Sequence, residues 1–149
     1  GINEDRLVFA TYMPAEEHLN RIKQADLFID SLPYNAHTTS SDALRMGVPV
    51  LTCIGTSFAS RVAGSLLTAL DLPELITTSQ EQYELLAVKL AKSPEQLKTT
   101  RAKLIDNLSR ASLFDTSKTA RHLEGAYLAM HDKSLQELKP ENIYIEQYK

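Results

Sequence analysis

Short apolar runs alternate with amphipathic stretches through the first half of the chain. Residues 6–10 (RLVFA), 26–31 (DLFIDS), 49–54 (PVLTCI) and 74–78 (ELITT) have the length and the β-branched or aromatic content of strands. Residues 15–24 place Leu19 and Ile22 at helical spacing behind an acidic first turn, Glu16-Glu17, which suits the positive end of a helix. A second helix over 37–46 stops at Gly47, with Pro49 two residues beyond, and a third covers 58–70. Parallel strands need helical crossovers, so this β-α-β-α-β-α-β series predicts a Rossmann-like α/β fold: a parallel sheet flanked by helices.

From Ser79 onward the pattern is entirely helical. Ser79 and Ser93 each stand three residues before a glutamine (Gln82, Gln96) and are expected to cap helices, with Pro94 at the permitted first helical position. A last helix follows Asp115 and carries Leu123, Tyr127, Leu128 and Met130, and the tail KPENIYIEQYK has no period. The expected organisation is one lobe over 1–132, including an all-helical C-terminal segment, and an exposed tail over 133–149.

Composition acts mainly by exclusion. A chain of 149 residues is long enough for one domain with a real core. Its net charge of −3 lacks the excess of Lys and Arg that a nucleic-acid backbone requires, so no nucleic-acid partner is expected. Cys53 is the single cysteine, which excludes an internal disulfide, leaves no thiolate set for zinc and fits a reducing cytoplasm. No apolar run approaches the roughly 20 residues of a spanning helix, so no membrane association is expected. The opening Gly1-Ile2-Asn3-Glu4-Asp5 lacks an initiator methionine and reads as a loop, as in a piece of a longer protein.

The candidate chemistry lies in PYNAHTTSSDALRMGVPVLT, residues 33–52. In an open parallel sheet, ligands bind beyond the carboxyl ends of the strands, where the following helices begin. The first four N–H groups of a helix lack internal partners, and the helix dipole adds positive potential, so this end attracts phosphate. His37, Thr38 and Thr39 add an imidazole and two hydroxyls there, and Asp42, one turn further in, is placed to accept hydrogen bonds from a sugar diol. That is the donor set a diphosphate and ribose need. The competing reading is an ordinary helix cap by Asn35 or Thr38, with His37 a surface residue.

His18 sits near the start of its helix on the same rim, where its ring would stack on a base; the alternative is an exposed histidine on an amphipathic helix. His122 and His131 belong to the last helix, away from that rim, and read as structural or solvent-facing. No metal-ligand spacing links the four histidines, and no metal is expected. Ser60 and Arg61 stand at another helix start on the sheet edge. G-x-G-x-x-G, P-loop and G-x-S-x-G patterns are all absent from the chain.

Taken together, MPAEEHLNRIKQADLFIDSLPYNAHTTSSDALRMGVPVLT, FASRVAGSLL and LPELI resemble the protein O-linked N-acetylglucosamine transferases and their SPINDLY-like relatives. The resemblance spans about residues 1–132 and rests on P-x-E-E-H, N-x-H-T-T-x-x-D and A-S-R-V segments in the family's order and spacing. It implies the C-terminal lobe of a GT-B glycosyltransferase, the lobe that holds most of the sugar-nucleotide donor. By resemblance, Met13 contacts the base edge through its backbone and His18 packs on the uracil. His37, Thr38 and Thr39 bind the diphosphate, and Asp42 holds the ribose. Ala15 stands where animal members carry a lysine beside the ribose.

The function implied is transfer of a sugar, N-acetylglucosamine first, from a UDP-sugar to Ser or Thr hydroxyls of proteins, without a cofactor. The resemblance places the N-terminal lobe, the acceptor groove, a phosphate-contacting lysine and tetratricopeptide repeats upstream of Gly1. Alternatives are a SPINDLY-type GDP-sugar-dependent fucosyltransferase, an asparagine-directed glucosyltransferase, and a non-catalytic lobe that senses a nucleotide or binds partner proteins.

Overall fold

A computed structural model describes residues 1–145. Three parallel strands form the sheet in the order β1 (Phe28–Ile29), β2 (Val50–Cys53) and β3 (Ile76–Thr77). Phe28 is in register with Val50, and Thr52 with Ile76. Helix α1 (Ala15–Ile22) leads into β1, α2 (Thr38–Arg45) crosses from β1 to β2, and α3 (Val62–Ala69) crosses from β2 to β3. The helical remainder is α4 (Gln80–Lys92), α5 (Pro94–Arg110) and α6 (Thr116–Leu135), so α6 runs past residue 132. Residues 139–145 have no regular structure; the rest of the tail lies outside the described residues.

The centre is β2. Val50, Leu51 and Thr52 are all buried because α2, α3 and α4 pack against this strand, the pattern of a parallel strand covered on both faces. Leu44 of α2, Leu67 of α3, Leu90 of α4 and Leu104 of α5 complete a core of fully or almost fully buried leucines. Each such side chain contributes about 1.5–3 kcal/mol. The ion pairs Lys103–Glu74, Arg110–Asp106 and Lys133–Glu141 all have partners partly or largely in solvent, where a pair is worth about 0–1 kcal/mol. Leucine burial, not charge pairing, holds the lobe together.

Three expectations need correction. Residues 6–10 form no strand: a 3-10 turn covers Glu4–Arg6 and extended chain follows, with Val8 90% and Phe9 89% exposed. A strand exists only as half of a pair, and among the described residues this segment has no neighbour to bond with, whereas β1 bonds to β2. The helix over 58–70 is two pieces. Ser57 and Ser60 cap each other reciprocally around a single 3-10 turn, Phe58–Ser60, and Arg61 separates it from α3. Finally, Ser79 caps α4 by accepting from Gln82 N–H at 3.2 Å, but the Ser93 side chain makes no cap bond. Ser93 ends α4 and starts α5 at once, so its ψ is 76° where that of Ser79 is 154°.

Helix α2 ends as its sequence predicts. Gly47 adopts φ +74°, its N–H bonds Leu44 O and the Val48 N–H bonds Ala43 O, both at 2.9 Å. The same pair of bonds ends α3 around Asp71 and α6 around Glu137, each at φ 53°.

Candidate functional site

The loop from β1 to α2 is held from beneath. Asp30, buried just after β1, accepts through Oδ1 from Ser31 N–H at 2.8 Å and Ala36 N–H at 2.6 Å. Its Oδ2 accepts from the Thr52 hydroxyl of β2 at 2.6 Å. Asn35, fully buried, donates Nδ2 to Ser31 O at 3.1 Å and its backbone N–H to Ala59 O at 3.0 Å. From α4, Tyr83 donates its hydroxyl to Asp30 O at 2.5 Å. Burial first, and then the nearby Asp30 carboxylate, push the Tyr83 phenol above its ordinary value, so it stays a donor.

His37 is the N-cap residue of α2, and no side chain caps the helix. The capping reading of Asn35 and Thr38 therefore fails: Asn35 faces back into the loop, and Thr38 is the first helical residue. The Ser41 N–H reaches His37 O at 3.0 Å, whereas the amides of His37, Thr38, Thr39 and Ser40 have no acceptor among the described residues. Those of His37, Thr38 and Thr39 stand at the open helix start, whereas Ser40 is fully buried. The His37 ring stacks on Tyr34 (centroids 5.1 Å apart, planes at 20°) and meets Phe58 edge-on at 5.9 Å. Its Nε2 lies 3.4 Å from Ala59 O; a carbonyl only accepts, so Nε2 carries the proton in a weak bond. Thr38 and Thr39 are exposed, and Asp42 is half-buried one turn along.

Helices α1 and α2 pack together, and α2, which crosses from the end of β1 to the start of the parallel β2, begins at the carboxyl edge of the sheet. Met13, half-buried, stands just ahead of α1, and His18 lies half-buried within it. Arg21 joins the chain ahead of α1 to His18: it donates to Thr11 O at 3.0 Å and to His18 Nδ1 at 2.8 Å. A guanidinium only donates, so Nδ1 accepts and the ring's proton sits on Nε2.

Sequence reasoning overlooked Asp30, Arg21, Tyr34 and Phe58. A carboxylate directly after an apolar strand, and an arginine three residues after a histidine on one helix, were the available signals. Ser60 is buried in its reciprocal cap and Arg61 is exposed. His122 and His131 lie on α6, which carries none of the site residues. Among the described residues, no group of three or more His, Cys, Asp or Glu is placed to hold a metal, and no helix is long and apolar enough to cross a membrane.

A hollow of about 890 Å³ involves Ile29, Val88 and Arg101, and one of about 600 Å³ involves Phe58, Arg61 and Gly64; none of the six predicted residues lines either.

Residues 1–123 match glycosyl transferase family 41. A UDP-N-acetylglucosamine–peptide N-acetylglucosaminyltransferase of Caenorhabditis elegans is 36% identical over 124 residues, which is 83% of this chain and 11% of that protein. A probable enzyme of the same name, SEC, from Arabidopsis thaliana is 36% identical over 131 residues, 87% of this chain and 13% of that one. The chain thus spans only a small part of the length of these curated relatives. Among solved structures, a mutant of the Thermobaculum terrenum O-GlcNAc transferase superposes with a TM-score of 0.75 at 36% identity, covering 84% of this chain and 24% of that one. This chain belongs to glycosyl transferase family 41.

Proposed function

We propose that this lobe binds the donor of a glycosyltransferase that moves N-acetylglucosamine from UDP to Ser or Thr hydroxyls of proteins. The observation that carries the reading is the open start of α2, where the amides of His37, Thr38 and Thr39, without acceptors among the described residues, stand beside the His37 imidazole. Its support from outside the chain is the activity named for the relatives.

As the glycosidic bond breaks, negative charge grows on the departing diphosphate. N–H donors and a helix dipole fixed toward that group stabilise the transition state more than the ground state. His37, Thr38 and Thr39 therefore act as leaving-group stabilisers. Asp42 accepts from the ribose hydroxyls, His18 stacks on the uracil and the Met13 backbone reads the base edge. No metal or cofactor is assigned a role. The protein acceptor is held outside these residues, by an N-terminal lobe and repeats of the longer protein.

Calorimetric titration with UDP, GDP and ADP tests this. UDP is expected to bind and ADP not to bind, with His37→Ala weakening UDP about tenfold or more, the worth of one hydrogen bond to a charged group. Preference for GDP would move the reading to a GDP-sugar enzyme. Unchanged UDP affinity in His37→Ala would refute the site, and a longer protein that binds UDP without transfer would be a sensing module.

A further inference from the structure

We propose that Asp30 is the positioning residue of the diphosphate site, and that its carboxylate sets the direction of the α2 amides and of His37. This rests on the proposed donor reading. Asp30 does not face the rim itself. It is 3% exposed, and its two oxygens are shared between the central strand and the loop. Thr52 fixes Oδ2 from β2, and β2 is the most enclosed strand of the sheet. The other oxygen takes Ala36 N–H at 2.6 Å, and Ala36 is the residue immediately before His37. One rigid acceptor thus ties the start of α2 to the sheet.

Thr77 extends the tie by donating to Thr52 O at 2.9 Å, so all three strands contribute to the position of one loop. The ring of His37 lacks any comparable anchor, with two ring contacts and a hydrogen bond of 3.4 Å. Its direction must be inherited from the backbone at Ala36. A site built this way depends on its supporting residues to within a fraction of an ångström, and a misplacement of about 1 Å costs on the order of a hundredfold in rate.

The carboxylate also carries a charge of the wrong sign for a diphosphate, which separates geometry from electrostatics. Asp30→Asn keeps Oδ1 as the acceptor for Ser31 and Ala36 and removes the charge, while the Thr52 hydroxyl turns to accept from Nδ2. Asp30→Ala removes the acceptor altogether. If Asp30 positions the loop, the asparagine variant rescues what the alanine variant loses.

The experiment is NMR on the intact chain, with UDP titration of the same samples. In Asp30→Ala the Ala36 amide is expected to lose exchange protection by about tenfold or more and the His37 ring resonances to move, while the Leu67 and Leu90 amides keep theirs. UDP affinity should fall on the order of tenfold in that variant and stay within about threefold of wild type in Asp30→Asn. Equal UDP affinity in all three proteins, with unmoved His37 resonances, overturns the proposal. So does a loss as large in Asp30→Asn as in Asp30→Ala, which would make the charge the operative property. If wild type binds no UDP while Ala36 and His37 still respond as expected, the donor reading fails and the positioning of the loop by Asp30 stands. Should Asp30→Ala not fold, Thr52→Val frees Oδ2 without removing the carboxylate. The same resonances should then shift in the same direction by less, and their failure to move overturns the proposal.

Discussion

Gly47→Ala isolates a backbone effect at the end of the helix that carries the site. The residue occupies the left-handed region at φ +74°, where a Cβ would meet only Ile105 carbons at 3.5 and 3.8 Å, ordinary contact distances. Sterics with the surroundings therefore contribute little, and the cost is that of forcing alanine into a left-handed conformation, about 1–2 kcal/mol. Alanine also narrows the unfolded ensemble, which returns about 0.4–1 kcal/mol. The expected net loss is about 1 kcal/mol, read as a lower urea midpoint at unchanged slope and a Tm lowered by about 2–4 °C. Asp71→Gly is the matched control, since Asp71 holds the same place after α3 at φ 53° with the same two bonds around it. There the strain relieved and the unfolded-state freedom gained oppose each other, so that variant should be stabilised by a few tenths of a kcal/mol or left unchanged. A Gly47→Ala protein more stable than wild type would refute the reasoning, because the strain should equal or exceed what the narrowed unfolded ensemble returns.

Two more stability measurements follow from hydrogen bonds. Tyr83 has its pKa raised above 10.0 in the folded chain, so it favours folding below pH about 10 and that contribution is lost as pH rises through the folded value. Tyr83→Phe should cost about 1 kcal/mol at neutral pH and flatten the alkaline decline, and urea midpoints from pH 8 to 11 with the same slope in both proteins would contradict this. Ser79→Ala removes the acceptor for Gln82 N–H at the start of α4 and should cost about 1 kcal/mol in urea denaturation, whereas Ser93→Ala, which removes no cap bond, should change stability by less.

The parallel α/β plan was legible because its signals were local. Gly47 with Pro49, the serine at position 79 and the aspartate at position 115 each mark a helix end through the chemistry of one or two residues. The segment 6–10 misled because strand propensity describes a side chain's fit to a sheet, and pairing is decided by a neighbour that a local pattern does not contain. Likewise, His37, Thr38, Thr39 and Asp42 announced themselves as a cluster along the chain. The groups that aim them did not, since Thr52 lies 22 residues from Asp30 and Tyr83 lies 53 from it. Ser93 failed as a cap for a reason of the same kind: two helices compete for its backbone, and a motif describes one.

Arg21 holds the Thr11 carbonyl with one nitrogen and the His18 ring with another, so one guanidinium ties the loop bearing Met13 to the ring on α1. On the proposed reading these are the two sides of the base pocket. A lineage that shifts from one nucleobase to another then cannot adjust them one at a time, because resizing either side pulls on the guanidinium that fixes the other. On that reading, a substitution on one side alone should weaken the binding of every nucleotide.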